Sequence, residues 1–312
     1  MRRPMSNLQF APTILLACLL ASSPLLAQTA PGPQPLARHY QLGEKIAYTL
    51  SCFNQSRTST TEYEATVQAL VGKDPTGDLV ENFAWTDLSV NDNQVHLSPA
   101  SLALREPLSL VPGVKLALPD LSKVQPALVA PAADLLTFYA DLKIALNQHS
   151  LQRAGDRAYV PFGAPNSWAN GAAIILGQDS VDFEVVFTAI DPAPNTATIV
   201  VHHVPPDQPQ LKLPARWMNT PIADLHNNWV QVEKRADGKY AAAIGQETFD
   251  VEFKLDLTTG RILSATLDNP IEASERICDD AALATCGDPT RYTLRRQITL
   301  RANPESAAVP QK

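Results

Sequence analysis

Basic charge is what this chain most plainly lacks. Across 312 residues, 25 lysines and arginines stand against 32 aspartates and glutamates, a formal net charge of −7 at pH 7. Gripping a phosphate backbone takes a basic patch, so nucleic acid is not an expected partner. No glycine period and no heptad appears, which excludes collagen-like and coiled-coil classes. No repeat of 20 to 50 residues is visible in the sequence, so propellers and solenoids are not expected. Also missing are the G-x-S-x-G nucleophile elbow, the G-x-x-x-x-G-K-[ST] phosphate loop and the G-x-G-x-x-G dinucleotide turn. Two carboxylates on separate strands leave no pattern, so a hydrolase working with paired acids stays open.

Metal-ligating residues are thin on the ground. The six histidines are His39, His96, His149, His202, His203 and His226. His202 and His203 are adjacent, and on a strand adjacent side chains point to opposite faces. Asp224-x-His226 is the one close pair that could act as ligands or as acid and base. Asp279, Asp280 and Asp288 lack the D-x-D-x-D-G calcium pattern and read as a solvated acidic loop. No metal and no cofactor is implied.

Long apolar runs are confined to the N-terminus. Arg2 and Arg3 precede the stretch from Phe10 to Ala21, which Pro12 interrupts and small residues follow up to Ala27. A span wants about 18 unbroken apolar residues, so residues 1–27 read as a signal peptide and the protein as exported, periplasmic or extracellular. Leu15-Leu16-Ala17-Cys18 loosely resembles a lipobox and offers anchoring through Cys18 as the alternative. Losing 1–27 removes two arginines and no acid, so the remainder carries −9. Residues 28–39 form a Pro-rich tether, and 302–312 a mobile tail.

Three cysteines remain. Cys278 and Cys286 are the natural disulfide in an oxidising compartment. Cys52 falls in phase with Ile46, Tyr48 and Leu50 and reads as a small buried hydrophobe.

What the chain does have is alternation. Ile46, Tyr48, Leu50 and Cys52 share one face; Tyr63, Ala65, Val67, Ala69 and Val71 share the next; a further strand covers about 80–90. Later come Val181, Phe183, Val185 and Phe187, then 198–204, and then Phe249, Val251, Phe253, Leu255 and Leu257 against Asp250, Glu252, Lys254 and Asp256. Asp237-Gly238 joins strands 229–235 and 240–244 as a tight hairpin, and Thr259-Gly260 joins the 249 strand to 262–267. One segment repeats at three and four: Leu135, Phe138, Leu142 and Leu146 predict an amphipathic helix over about 132–148, with Pro131 in its first turn. Residues 107–131 and 205–228 are rich in proline and predict irregular arms.

The expected fold is therefore mainly β: an antiparallel meander forming a curved sheet or half-barrel with one packed helix. A single β-rich domain over 40–301 is expected, or two packed β units, 40–125 and 156–301, joined by the helix. Two features stand out as candidate ligand contacts. Arg296 shares the inward phase of Tyr292, Leu294, Ile298 and Leu300, where a guanidinium needs an acid, an edge or an anionic group. Trp168 and Trp217 sit in loops, either as plugs over the core or as the rim of a groove.

The meander, the lid-like helix, the exported start and the Asp256-x-x-x-Gly260-x-Ile262 hairpin together resemble the half-barrel exported proteins of bacteria, typified by the periplasmic lipoprotein carrier. That resemblance implies a curved sheet enclosing an apolar cavity, and a role in binding an apolar ligand such as a lipid, or an envelope protein, without catalysis. The cavity would be lined by Phe183, Phe187, Phe249, Phe253, Ile298 and Leu142, with Arg296 near its mouth.

Overall fold

Alternation of apolar and polar side chains builds the first sheet. β1 (Lys45–Gln55), β2 (Thr60–Lys73) and β3 (Leu79–Val90) follow one another as antiparallel neighbours. They bury Ile46, Tyr48, Leu50, Ala65, Val67, Phe83 and Trp85 on one face. This computed structural model describes residues 36–117, 119–161 and 174–303, and the backbone of 166–168. The expected signal peptide and most of both terminal segments lie outside these residues.

Short pieces follow β3. β4 (Asn93–Gln94) and β5 (Glu106–Leu108) pair with it, and α1 (Pro99–Ala103) starts at Ser98, whose side chain caps Ser101 N–H. The main helix, α2, runs from Pro126 to Leu146. It starts a turn and a half before the helix predicted from sequence, because Pro126 supplies the fixed φ of the first turn and Pro131 falls inside. A proline this near the start sacrifices one hydrogen bond. Burial of Leu128, Leu135, Phe138, Leu142 and Ala145 outweighs that loss.

The second half supplies β6 (Arg157–Val160), β7 (Asn166–Trp168), β8 (Ile174–Asp179), β9 (Asp182–Asp191) and β10 (Thr196–Val204). Then come β11 (Trp229–Lys234), β12 (Tyr240–Glu247), β13 (Phe249–Asp256), β14 (Ile262–Cys278) and β15 (Thr290–Ala302). All fifteen described strands join one antiparallel network that curves without closing. The fold is thus mainly β with a single long helix.

The network forks at β14. One edge of this long strand pairs with β15 throughout. Its other edge takes β13 along Ile262–Asp268 and β12 along Ile271–Cys278. From the first half the sheet continues β13-β10-β9-β6, and from the second β12-β11-β8-β7. Pro270 lies between the halves. Its carbonyl accepts from Thr248 N–H at 3.3 Å, so its missing donor faces the break between β12 and β13, where no ladder needs it.

The first leaf and β1–β3 enclose α2, which packs against β5, β10 and β13. The second leaf is covered on its outer side by the Pro-rich arm, through Met218, Leu211, Leu213 and Trp217 packed on Val230, Val232 and Ile244. Cys278 and Cys286 form a disulfide beside that cluster, and Cys52 is a free, buried thiol. A disulfide suits an oxidising compartment. Among the described residues no helix is long and apolar enough to cross a membrane.

The end of the expected tether is packed. Leu36 enters the core, and Arg38 bonds Glu81 Oε1 at 2.9 Å and Glu44 Oε2 at 2.7 Å. His39 N–H meets Thr259 C=O at 2.7 Å, tying this strap across the β13–β14 turn. Gly260 makes the crossing possible: its φ is +65°, and a Cβ there would meet Ala37 O at 2.2 Å.

Candidate functional site

The inner face of the sheet, the side that carries α2, changes character along β14 and β15. Ala265 and Leu267 on β14, with Ile298 and Leu300 on β15, are buried in the main core. Farther along the same phase come Asn269, Ile271 and Ala273, and Arg296, Leu294 and Tyr292. Here a cleft of about 350 Å³ opens, lined by Asn54, Asp179, Trp229, Gln231, Glu247, Asn269, Ile271, Leu294, Arg295 and Arg296.

Strand register brings these residues together. Asp179 on β8 is paired with Trp229 on β11, Trp229 with Gly245 on β12, and Gly245 with Ala273 on β14. Gly245 is a matter of space: a Cβ would meet Glu272 O at 2.6 Å and Trp229 Cε3 at 3.1 Å, so only glycine lets the indole lie across the strand. Two residues on, Glu247 ends β12 at the fork. Asn228, fully buried, holds its backbone by donating to Glu247 C=O at 2.8 Å and accepting from Glu247 N–H at 2.7 Å. Asn269 Nδ2 donates to Glu247 Oε1 at 3.0 Å. Glu247 Oε2 and Asp179 Oδ1 are buried without a hydrogen-bond partner.

Burial sets the charge state of these acids. It pushes the Asp179 carboxyl up to about 7. Burial, helped by the charge of Asp179 and opposed by the Asn269 hydrogen bond, pushes Glu247 up to about 8. A carboxyl raised on folding holds its proton in the native state over a range where the unfolded chain has lost it. Its contribution is complete below the unfolded value, about 4, and is lost as pH rises to the folded value. The unfolding free energy should therefore fall between pH 5 and about 8, by up to about 1.4 kcal/mol per pH unit for each such group. Urea unfolding at a series of pH values checks this, and Glu247→Gln should make the slope shallower.

Arg296 stands at the boundary of the cleft and the core. It forms an ion pair with Asp134 of α2, which also accepts a hydrogen bond from Tyr63 Oη. The Arg295 side chain turns to the outer face and meets Asp268 with two contacts of 2.9 Å. A larger, open trough of about 730 Å³ lies on that outer face, among Glu62, Glu64, Asp92, Asp250, Glu252 and Asp268. Among the described residues no three His, Cys, Asp or Glu side chains converge to hold a metal ion.

The chain matches no family model and no curated protein.

The described aromatic residues read from the sequence go elsewhere. Phe183, Phe187 and Phe253 are core side chains, with Phe253 edge-on to Phe138 of α2 at 6.1 Å. Phe249 is partly buried against His203, whose Nε2 lies 3.1 Å from Asp141 of α2. Leu142 and Ile298 are likewise packed in that core. Trp217 is a plug: its Nε1 donates to Leu283 C=O at 3.2 Å, and Arg276 lies over its ring at 5.2 Å. Trp168 lies on β7, and its side chain falls outside the described residues. Asp224 and His226 are exposed in the arm. Of the ligand contacts expected from the sequence, only Arg296 lines the cleft among the described residues. Reasoning on the sequence missed Asp179, Glu247 and Asn269. A lone glycine in the apolar strand Tyr240–Glu247 was the available signal of close packing.

Proposed function

We propose that this is an exported binding module for a small, partly apolar ligand, and that its site is the cleft at the fork. One observation carries the reading: the inner apolar face is filled by α2 over one half of β14 and opens as a cleft over the other. The volume of about 350 Å³ is at the small end of ligand pockets, about 300 to 1,000 Å³. It suits a short stem or a head group better than a long acyl chain. The half-barrel resemblance thus supports the apolar part of the role, while the packed helix moves the site from the barrel interior to its end. The disulfide supports export.

Fluorescence titration with N-phenylnaphthylamine tests the reading. Saturable binding is expected, and Leu294→Glu should weaken it at least about tenfold by putting a charge on the apolar wall. Binding that never saturates, or that Leu294→Glu leaves unchanged, would remove the cleft as the site.

A further inference from the structure

The polar wall of the cleft says more about the ligand than its apolar wall does. Glu247 lines the cleft, is 7% exposed, and has its Oε2 buried without a hydrogen-bond partner. Asp179 Oδ1, two strands away across Trp229, is in the same condition. A buried oxygen without a donor costs about 1 to 3 kcal/mol, so two of them on residues that line one cleft mark a position where a donor belongs.

The remaining charges there are already matched. Arg296 is paired with Asp134 of α2, and Arg295 with Asp268 on the opposite face. Among the described residues no ion pair joins either Asp179 or Glu247 to a cation. Gln231, Asn54 and Asn269 complete the polar lining with neutral amides. A group that brings both hydrogen-bond donors and positive charge would satisfy the acids together. A primary ammonium has three donors and fits a compact space, whereas a guanidinium needs a flat slot.

We infer that the cleft binds the ammonium group of a primary amine between Asp179 and Glu247, with the amine's carbon stem on Ile271 and Leu294. This rests on the cleft being the ligand site, and it adds the chemical class of the ligand. The charged acids are the binding form. Because burial raises both carboxyls toward and above neutrality, amine affinity rises with pH through that range, and binding releases protons. The cations nearest the pair are engaged elsewhere, Arg296 with Asp134 and Arg295 with Asp268 on the outer face. An alkylammonium, like a lysine side chain, also keeps its charge until about pH 10.

The test is displacement of N-phenylnaphthylamine by hexylamine, hexanol and hexanoate, which share one stem. Hexylamine should compete at least about tenfold better than hexanol, and its advantage should grow from pH 6 to 9. Calorimetry in buffers of different ionisation heat should show proton release. Glu247→Gln keeps the shape and removes the charge, so it should abolish the advantage of the amine while the naphthylamine still binds. Equal competition by amine and alcohol, stronger competition by hexanoate, or an amine affinity that falls with pH would overturn the assignment while leaving the cleft as an apolar site. Absence of naphthylamine binding would instead remove the cleft itself.

Discussion

Arg38→Met should lower the unfolding free energy by about 3 to 5 kcal/mol, the cost typical of stranding one member of a buried ion pair. Glu81 is 1% exposed and receives two donors, Arg38 and the Tyr139 hydroxyl of α2. Burial pushes its carboxyl up, and Arg38 pulls it back. Without the guanidinium, burial is opposed only by the Tyr139 hydrogen bond, so the carboxyl should take a proton to stay inside. The loss should then grow as pH rises above the unfolded glutamate value, because the unfolded chain releases that proton freely. Glu44, the second partner, keeps Arg261 at 3.8 Å. Denaturation of Arg38→Met and of the double variant Arg38→Met/Glu81→Leu decides the matter. The double variant should recover most of the loss, and equal instability of the two would show that the ion pair is not the cause.

Arg296→Met should cost a similar amount, about 3 to 5 kcal/mol, by leaving Asp134 without its ion-pair partner inside the core. Asp134 is fully buried on α2 and would retain only the Tyr63 hydroxyl. Adding Asp134→Asn removes the charge while keeping the acceptor for Tyr63. Urea unfolding should show recovery of at least about 2 kcal/mol in the double variant, since its remaining polar group is neutral and bonded. Failure of that rescue would mean that Arg296 acts through packing of its stem on the sheet.

Much of the architecture was written in simple periodicity. Phe249 to Leu255 alternate so cleanly that their strand, its inner face and its turn at Gly260 follow directly. Leu135, Phe138 and Leu142 mark α2, and Cys278 with Cys286 mark the disulfide. The start of α2 was harder to see, because two prolines compete for the first-turn position and only packing chooses Pro126. The fork was hidden for a related reason: Pro270 argues against a strand unless the ladder beside it is known to be broken. The cleft was least visible. Asp179 and Glu247 lie about 70 residues apart in sequence and meet only because β11 and β12 align them, a pairing no local pattern reports. Arg296 could be seen as an intruder on an apolar face, but its partner Asp134 sits among apolar helix positions and looks like a surface residue until α2 is docked.

The pairing of β1 with β15 has a consequence for how the molecule comes into being. It joins segments at opposite ends of the described chain, as in the contact of Thr49 with Asn303, 254 residues apart. Ordering such a contact closes a very long loop before any reward is gained, and chains built on non-local strand pairs fold slowly. Until β15 is in place, β1 and the whole outer edge of β14 remain raw edges, open to any other strand. The sheet is therefore complete only once β15 has paired with both β1 and β14, and folding of the described chain should be slow.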